Sequence, residues 1–305
     1  MDSVSIVTVN YNQPKATTEL LQSIKRHYQN KIEVILVDNA SVENYEKEFK
    51  SVIPDLIFIR SKVNLGFAGG NNLGIKSAKG DYIFLLNNDT EIPENCIETL
   101  IDVLKADTQI GLLSPLILYD DDKELIQYAG YTPLNYLTAR NSQIGQFEKN
   151  KGQYDGLTYE TGFCHGAAVI CRKADLLKAG LMDESYFLYY EELDWCEKFK
   201  RIGKTINFTG KTFIYHKESI SVGKDSAIKT YFMTRNRMLF IRRNTGFVNT
   251  FLFSIYYTFI ACPKMIFTYI KKGRKDLAKW VIKALIWNFT HSKNSKSLGF
   301  KLEKL

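Results

Sequence analysis

The chain has 305 residues, 45% of them apolar, which is enough for a sizeable core and too apolar for a disordered chain. Its five cysteines (Cys96, Cys164, Cys171, Cys196, Cys262) are scattered with no C-x-x-C pair, which disfavours a zinc site or a disulfide framework and suits free thiols in a reducing cytoplasm. The net charge of +8 is uneven: residues 1–239 hold 28 Lys+Arg against 31 Asp+Glu, and residues 240–305 hold 13 against 2, so the excess points to a polyanionic partner of the C-terminal segment, membrane or nucleic acid.

Residues 3–10 lead directly from Asp2 into a strand-like run, so no signal peptide is expected. Pro14 suits the first position of a helix, and Ala16, Leu20, Leu21, Ile24 and Tyr28 supply its apolar stripe. Residues 32–38 read as a second strand ending in Asp38, 43–51 as a weak helix and 55–60 as a third strand. A glycine-rich turn and a short helix follow, with Gly80 as the expected C-cap. Residues 81–86 form a fourth strand, cut off by Asn87, Asn88 and Asp89. Strands alternating with helices predict an α/β fold, a mostly parallel sheet with helices on both faces.

Further on, a helix is expected over 93–105 with Pro93 in its first turn, and a strand over 110–118. Residues 119–160 read as a loop-rich excursion over one sheet edge. Strand 167–171, helix 192–201 and strand 211–215 complete the part up to about residue 240. Beyond it, residues 245–263 carry no charge and are rich in Phe and Tyr, with Arg242 and Arg243 before them and Lys271, Lys272, Arg274 and Lys275 after. Residues 277–289 are amphipathic. The expected division is therefore 1–240 and a basic, aromatic-rich helical segment 241–305. An interfacial helical hairpin over 245–290 on an anionic bilayer is favoured over a soluble appendage and over a transmembrane helix.

Several clusters carry chemistry. Polar residues at the C-terminal end of a buried strand lie where open α/β sheets bind ligands, and Asn87, Asn88 and Asp89 supply oxygens suited to a hard divalent cation bridging protein and diphosphate. Asp38, with Asn39 beside it, accepts hydrogen bonds from a nucleotide or else caps the following turn. In residues 64–72 (NLGFAGGNN), Gly66, Gly69 and Gly70 permit close backbone approach, and Asn64 and Asn71 flank a helix N-terminus able to hold an anion. Glu191, Glu192 and Asp194 crowd among Tyr189, Tyr190 and Trp195; like charges and apolar neighbours raise a carboxyl pKa toward that of a general base. The acidic first turn of a helix is the structural alternative, and both are expected: the helix start accounts for Asp194 and a base for carboxylates inside an aromatic cluster. His216 follows a strand and is placed to reach the same rim. Arg235 and Arg237 offer a phosphate clamp or a solvated helix face.

Together and in this order, from about residue 3 to 243, these segments resemble the inverting glycosyltransferases of family 2. NLGFAGGNN paired with LLNNDT is most similar to the bacterial rhamnosyltransferase-type branch. The resemblance implies a GT-A nucleotide-binding fold and transfer from dTDP-rhamnose or a UDP-hexose to a saccharide, or lipid-linked saccharide, at the inner face of the cell membrane. It implies Mg²⁺ or Mn²⁺ at Asn87 to Asp89, in the place of the family's D-x-D, with His216 helping to hold it. Glu192 occupies the position of the catalytic base, with Glu191 as the substitute, and Asp38 that of the base-contacting aspartate. His165 and Gly166 border the acceptor, and Asp194 and Trp195 join them. Donor contacts are expected from Asp38, Asn39, Asn64, Gly66, Gly70, Asn71, Asn88 and Arg235. Two departures stand out: Asn87 contributes only a neutral oxygen, and Glu192 stands where the family usually has Asp. The alternatives are a nucleotidyltransferase, which would need a basic triphosphate loop that residues 10–15 do not supply, a sugar-nucleotide binder without turnover, and a nucleic-acid binder. No nucleic-acid partner is expected, because the basic residues alternate with a long uncharged aromatic run.

Overall fold

The computed structural model describes residues 3–28, 32–217 and 226–301. In chain order the first half comprises β1 (Val4–Asn10), α1 (Pro14–Tyr28), β2 (Glu33–Asp38), α2 (Glu46–Val52), β3 (Ile57–Arg60), α3 (Gly66–Ser77), β4 (Tyr82–Leu86), β5 (Thr90–Glu91), α4 (Cys96–Ala106) and β6 (Ile110–Tyr119). The second half adds β7 (Ile126–Tyr128), β8 (Thr158–Glu160), β9 (Ala168–Arg172), α5 (Lys173–Ala179), α6 (Glu191–Arg201), β10 (Thr205–His216), α7 (Ala227–Asn244), α8 (Phe247–Tyr256), α9 (Cys262–Lys271) and α10 (Lys275–Thr290).

The sheet runs β3-β2-β1-β4-β9-β6-β10-β5. β1, β2, β3 and β4 are mutually parallel, as are β6 and β10. β9 runs antiparallel between β4 and β6, so the sheet is mostly parallel with one reversed strand at its centre. Near-continuous apolar runs such as Tyr82–Leu86, buried at every position, are what a sheet covered on both faces requires. One core layer packs Leu20, Leu21, Ile24 and Leu100 on one face, and the other packs Ala68, Ile75, Leu176 and Trp195 on the opposite face.

Several expected boundaries move. α4 begins at Cys96, so Pro93 precedes it. The last strand reaches back to Thr205, with a register shift between Thr209 and Phe213. α3 ends on Ala78 rather than Gly80; a side chain at Gly80 would overlap the backbone of Val4 and Ser5, so close approach explains that glycine. The excursion 119–160 adds β7 beside β6 and β8 beside β10.

Position 240 falls inside α7. α8 and α9 join through a π-helical turn, Tyr257–Ala261, and α10 folds back on α9. Phe253, Tyr257, Val281 and Trp287 pack against Met238–Ile241 of α7. The stretch Phe247–Lys271 is the one helix among the described residues long and apolar enough to cross a membrane.

Candidate active site

Registers place Asn10, Asp38 and Arg60 side by side at the C-terminal edge of β1, β2 and β3. Strand order reverses between β1 and β4, and a cleft opens there, as such sheets require. Tyr11, Asn39, Asn64, Gly66, Asn71, Asn87, Asn88, Asp89, Phe187 and Leu188 line it, with Gln13. Most of the expected donor and metal residues therefore meet on one wall. Tyr11, Gln13, Phe187 and Leu188 were not foreseen. Tyr11 and Gln13 follow the end of β1 as Asn39 follows β2, so the strand-end rule that singled out Asn87 also covers them. Phe187 and Leu188 arrive from far along the chain, with no local signal.

Asp38 is not on that wall. It is fully buried; Oδ2 accepts from Asn10 Nδ2 at 2.9 Å and Oδ1 from the Ser41 amide at 3.0 Å, with Arg60 Nε 3.6 Å away. The turn-capping alternative holds here, and Asp38 shapes the loop that carries Asn39. Asn39 in turn donates to Asn64 Oδ1 and to the Gly66 carbonyl, each at 3.1 Å.

The glycine-rich segment also differs from expectation. Gly69 and Gly70 lie inside α3, and a side chain at Gly70 would crowd Val9, so Gly70 serves helix–sheet packing. The first amides of α3 are already used: Gly66 N–H donates to Asn64 Oδ1 at 2.9 Å and Phe67 N–H to the Phe187 carbonyl at 2.8 Å. They do not form an anion site. Gly66, at φ 71°, is required because a side chain there would overlap the Phe187 carbonyl.

Asp89 and His216 come together at the cleft's inner end, Nε2 lying 3.2 Å from Oδ1. Both atoms are buried and neither makes a well-formed hydrogen bond. Gln127 Oε1 holds the other ring nitrogen, Nδ1, at 2.8 Å. Burial pushes the Asp89 carboxyl up, but the close approach and charge of His216, its own backbone and Lys217 outweigh that and keep it below its usual value. Two orphaned buried ligand atoms facing one point fit a divalent cation. No group of three or more His, Cys, Asp or Glu converges among the described residues, so Asn87 and Asn88 amide oxygens, diphosphate and water would complete the coordination. Asn88 Nδ2 donates to Thr17 at 2.9 Å, leaving its oxygen to the cleft.

His165 lies next to His216, ring centroids 5.8 Å apart. Burial and the His216 charge push it down to about 3, so it is neutral. Gly166 follows it, and a side chain there would overlap the Glu192 carboxylate. This glycine lets the Glu192 side chain lie against the segment entering β9, beside His165. Burial raises the Glu191 and Glu192 carboxyls, and the Glu192 charge raises Glu191 further. Tyr131, stacked on Phe163 at 3.8 Å, is close enough to Glu192 for its phenol to be pushed up, after burial, by that charge.

The segment before α6 is strained. Phe187, Tyr189 and Tyr190 have φ of 65°, 69° and 74°, each costing about 1–3 kcal/mol for a bulky residue. Such a run persists only where its surroundings hold it.

Three expected site residues lie elsewhere. Trp195 is buried in the core and donates to the Gly180 carbonyl at 2.9 Å. Asp194 Oδ1 accepts from Tyr186 Oη at 3.1 Å and Asn244 Nδ2 at 2.9 Å, tying α6 to α7. Arg235 is fully buried, with the Trp287 ring 4.3 Å from its guanidinium carbon and Nη2 donating to the Ser185 carbonyl at 2.5 Å; burial pushes it down to about 10. Helical periodicity explains all three, because α6 and α7 turn these positions away from the cleft.

Residues 5–176 match the family described as Glycosyl transferase family 2. A hexosyltransferase of low-salt glycan biosynthesis, Agl10 of Haloferax volcanii, is 27% identical over 244 residues, 78% of this chain and 75% of that protein. The N-acetylglucosaminyl-diphospho-decaprenol L-rhamnosyltransferase of Mycobacterium tuberculosis is 22% identical over 74% of this chain and 80% of its own. Among solved structures, GalNAc-T7 with UDP, GalNAc and Mn²⁺ matches with a TM-score of 0.66 at 16% identity, over 95% of this chain but only 57% of that one. The Pyrobaculum calidifontis mannosyltransferase PcManGT with GDP-Man and Mn²⁺ matches at 0.59 with 12% identity, over 94% and 87%. The fold agrees with these likenesses, and the chain belongs to glycosyl transferase family 2.

Proposed function

We propose that this glycosyltransferase transfers a rhamnosyl or hexosyl group, with inversion, from a nucleoside diphosphate donor to a hydroxyl of a lipid-linked saccharide at the cytoplasmic membrane face. The observation that supports the reading is the chain of neighbours that runs from Asp89 through His216, His165 and Gly166 to Glu192. Asp89 and His216 would hold Mg²⁺ or Mn²⁺, which when bound would supply Lewis-acid neutralisation of the diphosphate leaving group. Tyr11, Asn39 and Asn64 bind the nucleoside end, and Asn87, Asn88 and Asp89 orient the diphosphate. Glu192, kept protonatable by burial, takes the acceptor hydroxyl proton. The acceptor oxygen bonds to the anomeric carbon as its bond to the phosphate oxygen breaks, and the electron pair leaves with the nucleoside diphosphate. One displacement inverts the anomeric centre without a covalent sugar intermediate. Neutral His165 and Tyr131 lie on the acceptor side.

Residues 1–240 carry this chemistry and 241–305 the membrane attachment; of the latter, the last four lie outside the described residues. Phe247, Phe251 and Phe259 are 84%, 54% and 73% exposed, Lys264 and Lys271 lie on the same helical stretch, and Lys272 follows directly after it. A bare apolar face with basic residues suits the interface of an anionic bilayer.

The test is a screen of dTDP-rhamnose, UDP-glucose, UDP-galactose and UDP-N-acetylglucosamine, with and without Mn²⁺, using a diphospho-polyprenyl saccharide acceptor. The expected result is transfer from one donor, lost with EDTA, giving a product of inverted anomeric configuration by NMR. Retained configuration would overturn the single-displacement mechanism, and full activity in EDTA would overturn the metal assignment.

A further inference from the structure

The strained run before α6 is held by consecutive residues of α7. Asn236 is fully buried, and its Nδ2 lies 2.9 Å from the Tyr186 carbonyl and 2.8 Å from those of Leu188 and Tyr189. Arg235 holds the Ser185 carbonyl, and Arg237 Nε donates to Tyr190 Oη at 2.6 Å. Three carbonyls around one terminal group require it to be the donor end of the amide. The same run meets the cleft from its other side: Phe67 N–H donates to the Phe187 carbonyl, Phe187 and Leu188 line the cleft, and α6 starts at Glu191. Asn288 Nδ2 of α10 donates to the Arg235 carbonyl at 3.0 Å, a helix–helix hydrogen bond that does not touch the run itself.

We propose that Asn236 is a positioning residue for sugar transfer: by gripping the carbonyls of Tyr186, Leu188 and Tyr189 it holds the left-handed run that delivers Glu191 and Glu192 to the site. Without the grip, Phe187, Tyr189 and Tyr190 relax out of positive φ and the first turn of α6 shifts. A displacement of about 1 Å at a reacting group is enough to cost on the order of 100-fold in rate. Strand-end residues that contact the nucleotide belong to other elements and stay in place. This proposal rests on Glu192 being the base.

The test uses the full chain with Asn236→Leu, which keeps the volume and removes the donors, and Asn288→Leu, which removes a helix–helix hydrogen bond without touching the run. Hydrogen exchange, the kcat for the donor selected by the screen and the Kd of its nucleoside diphosphate are compared. For Asn236→Leu we expect kcat to fall about 100-fold, the Kd to change little, and amides of residues 185–192 to exchange much faster while those of β1 and β4 do not. Asn288→Leu leaves kcat close to wild type. A kcat within threefold of wild type, or faster exchange spread evenly over the protein, overturns the proposal. If Asn236→Leu does not fold, wild-type exchange decides: Phe187 and Leu188 amides as slow as those of β4 support the clamp, and exchange as fast as in the exposed 149–153 loop overturns it. Failure of the base assignment is read separately, from retained activity of Glu192→Gln.

Discussion

Replacing Glu192 by Gln removes one proton acceptor while keeping shape, so activity and stability should move in opposite directions. Loss of a general base costs about 10²–10⁴ in rate, or roughly 3–5 kcal/mol of transition-state stabilisation at 1.36 kcal/mol per decade. Stability has the other sign. Burial raises the Glu192 carboxyl above its ordinary value, so the folded state binds its proton more tightly than the unfolded chain does. A raised carboxyl contributes its favourable share below the unfolded pKa and loses it as pH rises through the folded pKa. The wild type therefore loses stability as pH rises through that raised value, a loss the glutamine variant does not share. Glu192→Gln should unfold at higher urea concentration at pH 7, and the gain should vanish at about pH 3, below the ordinary glutamate value, where the carboxyl is protonated in both states. The same rise sets the acid limb of wild-type kcat/KM above the ordinary carboxylate range, because the base acts only when ionised. Steady-state transfer assays and urea titrations at both pH values measure these effects. Turnover within tenfold of wild type would refute the base assignment, and a larger loss in Glu191→Gln would move the role to that residue.

Other outcomes follow from the same geometry. Gln127→Leu removes the partner of His216 Nδ1, and Mn²⁺ affinity measured by EPR titration should fall about 10–100-fold, the usual effect of losing an outer partner of a metal-binding histidine. Gly66→Ala places a side chain at positive φ, costing about 1–2 kcal/mol, and breaks the Phe67–Phe187 hydrogen bond, worth about another 1 kcal/mol; denaturant unfolding should show a loss near that sum. Phe247→Ser with Phe251→Ser removes exposed apolar surface worth roughly 3 kcal/mol in the bilayer, so partitioning onto phosphatidylglycerol vesicles should drop about 100-fold. Unchanged co-sedimentation would remove the membrane role from this face.

Local pattern was a good guide wherever a side chain's direction follows from its place at a strand end. Asn39, Asn87, Asn88 and Asp89 could be placed at one rim because buried parallel strands release their polar neighbours at the same edge, and His216 joined them through β10. Asp38 misled, since the same position serves a turn as well as a ligand, and only the positions of Asn10 and Ser41 distinguish the two. The glycines of NLGFAGGNN misled for a related reason: glycine permits close approach of any kind, and here the approaching group is Val9 for Gly70 and the Phe187 carbonyl for Gly66.

Alternating apolar strands and helices, the acidic and amide-rich strand ends and the change of charge near residue 240 are written in local sequence, because periodicity and turn chemistry act over a few residues. Contacts between distant segments are not. The pairing of Asp89 with His216, the seat of Glu192 against Gly166 and the burial of Arg235 beneath Trp287 depend on which helix face meets which strand. Arg235 and Arg237, which read as a phosphate clamp, instead flank Asn236 in holding the short strained segment before α6. Packing alone decided that, since a guanidinium or amide binds whichever carbonyl or phosphate the fold brings to it.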